Sequence, residues 1–393
     1  MTTFQDLGLR AEIVESLAAA GIDEPFPIQA ATIADALAGR DVCGKAKTGS
    51  GKTLAFGLPA LQLVQEARPG HPRALVLVPT RELAKQVVDA LSPIGKSLGV
   101  RVAAFYGGTS MEQQMKQTRR RIEVVVATPG RLIDLLERGA VHLDDVEIRV
   151  IDEADRMADM GFLPQVEWIM RKAPQDDRQT LLFSATLDRE VDVLVRRYMT
   201  DPVRHEVASE NETVDLMLHR FLKVHELDRV KVLGAIASGV ERTMVFVRTK
   251  RGADRLVSQL KREGVHAEAI HGDLRQSARE RALRNFAEGN HGVLVATDVA
   301  ARGIHVDEVD VVVHYDPPEE FKSYLHRSGR TARAGNEGIV VTFVLWNQEL
   351  EVERLQRRLA MREPIVEVFS NDPRLADLEN LDGPAPRRRK ALA

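Results

Sequence analysis

The sequence predicts an α/β protein of two tandem lobes, each a mostly parallel sheet flanked by helices and joined by a flexible linker. Three observations carry that expectation. Strand-like and helix-like runs alternate through the first half, the alternation restarts near residue 217, and the stretch between is polar and weakly periodic. The boundaries that follow are a first lobe over 1–205, a linker over 206–216, a second lobe over 217–370 and a tail over 371–393. The tail holds Gly383, Pro384 and Pro386 ahead of Arg387, Arg388, Arg389 and Lys390. A segment of that composition is expected to be disordered, with a basic cluster able to touch a polyanion.

In the first lobe, residues 41–43 read as a short strand and 54–65 as a helix. Residues 73–79 are strand-like, 82–98 helical, 123–127 strand-like and 132–138 helical. An apolar run with Ile148, Val150 and Ile151 reads as a buried strand, and 179–183 gives another. In the second lobe, 219–224, 243–247, 266–270, 292–296, 309–314 and 338–344 read as strands. Helices are expected there over 228–237 and 252–263. Such βαβ units close only into a largely parallel sheet.

Composition bounds the class. With 44% hydrophobic and 29% charged residues over 393 positions, the chain fits a globular protein with room for two cores. No apolar run approaches the ~20 residues of a membrane span. The N-terminus lacks a secretory pattern, and the single cysteine, Cys43, excludes an internal disulfide and a Cys-rich zinc site. A reducing cytoplasm is therefore expected. The net charge of −3 does not by itself indicate a nucleic-acid partner.

The chemistry is concentrated in a few places. Ala46 to Thr53 is a glycine-rich loop between a strand and a helix, closed by Gly51, Lys52 and Thr53. Gly49 and Gly51 let the backbone wrap phosphates, with Thr48 and Ser50 between and beside them, and the helix N-terminus aims N–H groups at the anion. Lys52 would reach the β/γ-phosphates of a nucleotide and Thr53 would bind Mg²⁺. Asp152 and Glu153, opening the run Asp152-Glu153-Ala154-Asp155, follow a buried strand. There Asp152 would hold Mg²⁺ and Glu153 would polarise the attacking water. Ser184, Ala185 and Thr186 end the next strand and would relay position between nucleotide and another surface. His326 opens a run through Arg330 and Arg333 in a lobe that carries no phosphate loop. Those arginines are expected to complete the first lobe's site, where charge builds on the transferred phosphoryl.

With these motifs in this order, the chain resembles the DEAD-box ATP-dependent RNA helicases over roughly residues 4–361. The resemblance implies two tandem RecA-like domains that use ATP and Mg²⁺. It implies that Gln29, ending Gly21 to Gln29, reads the adenine edge and that Phe4 packs on the base. Gly303 and His305 fall at positions that contact the nucleotide, with His305 where the family usually has an Asp at the ribose. Weaker ribose discrimination is the expected consequence. RNA contacts are implied for Pro79, Thr80, Arg81, Gly107, Gly108, Thr128, Pro129, Gly130 and Arg131. In the second lobe they are implied for Arg248, Thr249, Gln276, Arg279, Thr297 and Asp298. Hydroxyls, N–H groups and single arginines suit sequence-independent contact with phosphate and sugar. The resemblance also makes Asp155, with Ser184 to Thr186, a link between nucleotide state and lobe closure. The expected activity is RNA-stimulated ATP hydrolysis coupled to opening of short duplexes or ribonucleoprotein remodelling, with ribosome-assembly or RNA-decay proteins as partners. An ATP-gated RNA clamp and a DNA translocase are the competing readings.

Overall fold

The computed structural model describes residues 2–46, 49–173, 178–207, 217–301, 309–331 and 338–381. The chain divides into two compact units, Met1–Ser209 and Glu210–Ala393.

The first unit holds β1 (Val42–Lys45), β2 (Ala74–Leu77), β3 (Val102–Phe105), β4 (Val124–Ala127), β5 (Ile148–Asp152), β6 (Gln179–Ser184) and β7 (Val203–Glu206). They form one sheet in the order β3-β4-β2-β5-β6-β1-β7, and every pairing is parallel. Helices cover both faces, so the strands read as unbroken apolar runs. Alternate residues feed separate cores. Val42, Ala74, Val76, Val124 and Val126 enter one, while Cys43, Leu75, Leu77, Val125 and Ala127 enter the other.

The second unit repeats the plan. Its strands are β8 (Met217–Lys223), β9 (Thr243–Phe246), β10 (Ala267–Ile270), β11 (Val293–Ala296), β12 (Val311–His314), β13 (Gly338–Val344) and β14 (Ile365–Glu367). The order is β10-β11-β9-β12-β13-β8-β14, again parallel throughout. The two sheets therefore confirm the expected fold class.

The first lobe's expected end at 205 falls inside β7, which runs to Glu206 and extends the first sheet beside β1, with Val203 opposite Val42. Its half-exposed edge position explains the weak apolar signal. The expected disorder of the tail is also corrected for its first half. Residues 371–381 include a short 3₁₀ turn, Pro373–Ala376, and bury Leu375, Leu378 and Leu381 in the second unit's core. Leucines at every third position give that segment an apolar face, and the Arg220 guanidinium donates to the Leu378 and Glu379 carbonyls. The basic run Arg387 to Lys390 lies outside the described residues.

Gly44 in β1 sits against the buried ring of Phe183, where an added Cβ would come within 2.5 Å of the ring. Gly44→Ala is expected to cost about 1–3 kcal/mol through overpacking. Trp168, alone in a Trp346→Phe background, reports on the first unit; its fluorescence in a urea titration should show an earlier transition. An unchanged midpoint would contradict the packing.

Candidate functional site

Parallel register gathers the first unit's chemistry. Lys45 stands opposite Ser184, and Asp152 stands opposite Phe183, so the ends of β1, β6 and β5 lie side by side at one level. The Ala46 N–H donates to the Ser184 carbonyl at 3.0 Å, which ties the start of the glycine-rich loop to β6. Ligands of parallel α/β sheets bind at such carboxyl ends.

Gly49 and Gly51 both have φ of 84°, in the left-handed region that glycine enters without penalty. From Gly51 the chain enters the helix Lys52–Leu63. Thr53 follows Lys52 in its first turn. The Lys52 side chain is buried, and among the described residues its ammonium makes no hydrogen bond. A buried, unpartnered ammonium at a helix N-terminus is costly by itself and suited to phosphate. Thr48 lies outside the described residues, while Ser50 flanks the turn, partly buried.

Asp152 is 2% exposed. Burial pushes its carboxyl up to about 7; the neighbouring Glu153 adds to the rise and the Lys52 ammonium opposes it. Its Oδ1 accepts the Glu153 N–H at 2.9 Å. Glu153 has φ of 53° and ψ of 49°, a left-handed conformation that costs a non-glycine residue of order 1 kcal/mol. Its carboxylate is locked at 2.6 Å by Arg156, one turn into the helix Ala154–Asp159, with both side chains buried. Arg156 was not singled out from the sequence; its i,i+3 spacing from Glu153 is the signal that would have found it. Asp155 receives no side-chain partner at Oδ2, while its N–H donates to the Ser184 hydroxyl at 3.2 Å. Ala185 and Thr186 follow, half-buried.

Gln29 and Phe4 are both buried in the first unit. The Gln29 amide is buried; its carbonyl accepts from the Phe26 N–H and its NH₂ donates to the Gly51 carbonyl, each at 2.9 Å. It fastens the helix Pro27–Leu37 to the phosphate loop. Phe4 is 2% exposed and belongs to the apolar core with Leu9, Ile13 and Ile28, so its ring presents no open face to a base. Beside the loop Phe26 does stand open, 56% exposed, and its ring would lie 2.6 Å from a Cβ placed on Gly51.

The residues expected at RNA cluster in the same way in the first unit. Pro79 follows β2, and Thr80 caps the helix Arg81–Ser97 by accepting the Leu83 N–H. The Arg81 guanidinium packs on Gly108, where a Cβ would stand 2.1 Å from it, and Gly107 precedes it after β3. Thr128 sits at the N-cap of the helix Pro129–Glu137 without spending its hydroxyl there, and Gly130 is in that helix's first turn. Arg131 turns inward, donating to the Gln114 side chain at 2.8 Å and to the Thr109 carbonyl at 3.2 Å. It braces the glycine loop.

In the second unit, Arg248 is exposed beside Glu319 at 3.4 Å, and Thr249 caps the helix Lys250–Arg262. Arg279 donates to the Ala300 carbonyl. Thr297 is buried, and the Asp298 carboxylate is gripped by both arms of Arg327 at 2.6 and 2.8 Å. Gln276 opens the helix Gln276–Ala287. Arg327 shares the helix Phe321–Ser328 with half-buried His326, and Arg330 follows, 6% exposed. Gly303, His305 and Arg333 lie outside the described residues.

A strand-end phosphate cradle beside a buried acidic pair defines a nucleotide-hydrolysing α/β protein, here followed by a second unit of the same plan. Comparison with known proteins names the group. A DEAD/DEAH box helicase model matches residues 26–194, and a helicase conserved C-terminal domain model matches 223–335. The chain is 42% identical to a DEAD-box ATP-dependent RNA helicase CshA from Geobacillus kaustophilus, over 91% of this chain and 76% of that protein. It is 40% identical to an ATP-dependent RNA helicase RhlB from Pseudomonas syringae pv. tomato, over 92% and 94%. A solved structure of S. cerevisiae Dbp5 bound to RNA and ADP BeF3 matches with a TM-score of 0.82 at 30% identity, covering 94% of this chain and 96% of that one. The chain belongs to the DEAD-box ATP-dependent RNA helicases.

Lys52→Met removes a buried ammonium that has no hydrogen-bond partner. Nucleotide affinity is expected to fall at least about tenfold while the thermal midpoint without nucleotide holds or rises. Calorimetric titration and melting of the variant check both; a cooperative collapse of the fold would show that Lys52 is structural.

Proposed function

We propose that this chain is an RNA-stimulated ATPase whose cycle opens short RNA duplexes or remodels RNA–protein assemblies. The observation that carries the reading is the Lys52 ammonium, buried without a hydrogen bond beside Asp152. A nucleotide phosphate supplies the missing partner.

The residues present also fit Mg²⁺. Among the described residues no group of three or more His, Cys, Asp or Glu would hold a metal alone. Thr53 and Asp152 would hold the ion with water and phosphate oxygens, the sparse protein ligation that Mg²⁺ favours, and it would neutralise charge on the phosphates. The remaining work falls to side chains. Glu153, fixed by Arg156, orients and polarises the attacking water. Phe26, open beside Gly51, packs against the base in place of Phe4. His326, Arg330 and Arg333 contribute charge stabilisation to the transferred phosphoryl. Arg81, Gly107, Gly108 and Thr128 offer donors to an RNA backbone, held in shape by Arg131.

Dbp5 was solved with RNA and ADP BeF3 together, which supports a state in which nucleotide and RNA are held at once. Coupled retention and release of one strand is what would displace its partner.

Arg330→Ala is expected to slow RNA-stimulated hydrolysis about 10³-fold with ATP affinity changed only a few-fold. Glu153→Gln should lose hydrolysis while still binding ATP and single-stranded RNA together. Steady-state phosphate release and nucleotide titration measure both, beside displacement of a short RNA duplex. An unchanged rate for Arg330→Ala overturns the arginine's role. Full hydrolysis without any displacement favours an RNA clamp.

A further inference from the structure

We propose that the edge of the first unit's sheet is a docking groove for an acidic, extended segment of a partner protein, which adds to β3 as a further strand. β3 is the outermost strand and, among the described residues, pairs with β4 alone. Val102 and Ala103 of β3 line a cleft of about 870 Å³, walled by the helix Arg81–Ser97, by Gln117 of the helix Met111–Thr118 and by the residues just beyond it.

The cleft has an apolar floor and a cationic rim. Val100, Val102 and Ala103 are half-buried and Ile122 is buried. Lys96, Arg101 and Arg120 are exposed on the rim, and among the described residues none of them pairs with a carboxylate. Arg121 is the exception, held by Glu66 and Glu123. Among the described residues no carboxylate lines the cleft.

Three features together select the occupant. An unpaired strand edge is a template for an incoming strand, and β3 carries neither proline nor charge to block it. An added strand places alternate side chains on opposite faces, so apolar residues can reach the floor while acids meet the rim. Finally, no aromatic residue lines the cleft, so single-stranded nucleic acid would find no stacking platform. The cleft gathers around the start of β3, whereas Gly107 and Gly108 follow its end. The groove is therefore separate from the residues assigned to RNA.

The test uses the full chain and a fluorescein-labelled peptide of about eight residues, the length of a short strand, alternating Glu or Asp with Val or Ile. A second peptide is N-methylated at alternate positions, which keeps its charge and removes its strand-pairing N–H groups. The wild-type chain is expected to bind the first peptide by fluorescence anisotropy. N-methylation should weaken binding about tenfold. The double variant Lys96→Glu, Arg120→Glu should weaken it at least about tenfold. RNA-stimulated ATP hydrolysis by that variant should match the wild type, which also shows that it is folded. Absence of binding to the wild-type chain overturns the proposal. Equal binding of the N-methylated peptide reduces the groove to a charged surface and overturns it too. So does a short RNA duplex that displaces the peptide through Lys96 and Arg120, since the site would then be one for nucleic acid.

Discussion

Everything at the site depends on the parallel, in-register pairing of β5, β6 and β1. Parallel strands deliver all their carboxyl ends to one rim, and the register sets Asp152 opposite Phe183 and Ser184 opposite Lys45, so the ends of the three strands lie side by side. A shift of one residue in β5 would turn Asp152 to the opposite face of the sheet. The buried valines, isoleucines and leucines of these strands thus do more than fill a core. They fix which acid meets the phosphate loop.

The rim is assembled under electrostatic tension. A lysine and two acids are buried together, yet Lys52 makes no hydrogen bond, Asp152 is pushed toward neutral pH by burial, and Glu153 occupies a left-handed backbone conformation. Folding alone would favour fewer buried charges. A polyanion entering the rim would give the Lys52 ammonium the hydrogen-bond partner it lacks. The surrounding contacts hold the arrangement in readiness: Arg156 on Glu153, Gln29 between Phe26 and Gly51, and the Ser184 hydroxyl on the Asp155 N–H.

Long apolar strands and glycine-rich signals were legible in the sequence, and with them both sheets, the phosphate loop and the acidic pair. Some short or half-exposed elements were not. β3 is four residues of valine, alanine and phenylalanine at a sheet edge, and β7 is a polar strand held mainly by β1. Leu375, Leu378 and Leu381 were hidden because proline and charge dominate the composition around them. At the site, residue types could be assigned but not their direction. Phe4 and Arg131 carry the right chemistry for a base and a phosphate, yet the packing turns one into the core and the other toward Gln114. Phe26, Arg156 and Arg327 act through position: Phe26 by its exposure beside Gly51, Arg156 by its grip on Glu153, and Arg327 by its grip on Asp298.

The central claim is that nucleotide at the Lys52–Asp152 rim governs the grip on RNA. The most direct measurement is the anisotropy of a labelled single-stranded RNA titrated with the full chain in Mg²⁺, with and without ADP and beryllium fluoride. Tight RNA retention only with the nucleotide analogue, lost when Mg²⁺ is chelated, is the predicted result. RNA affinity that is the same with and without nucleotide would contradict it.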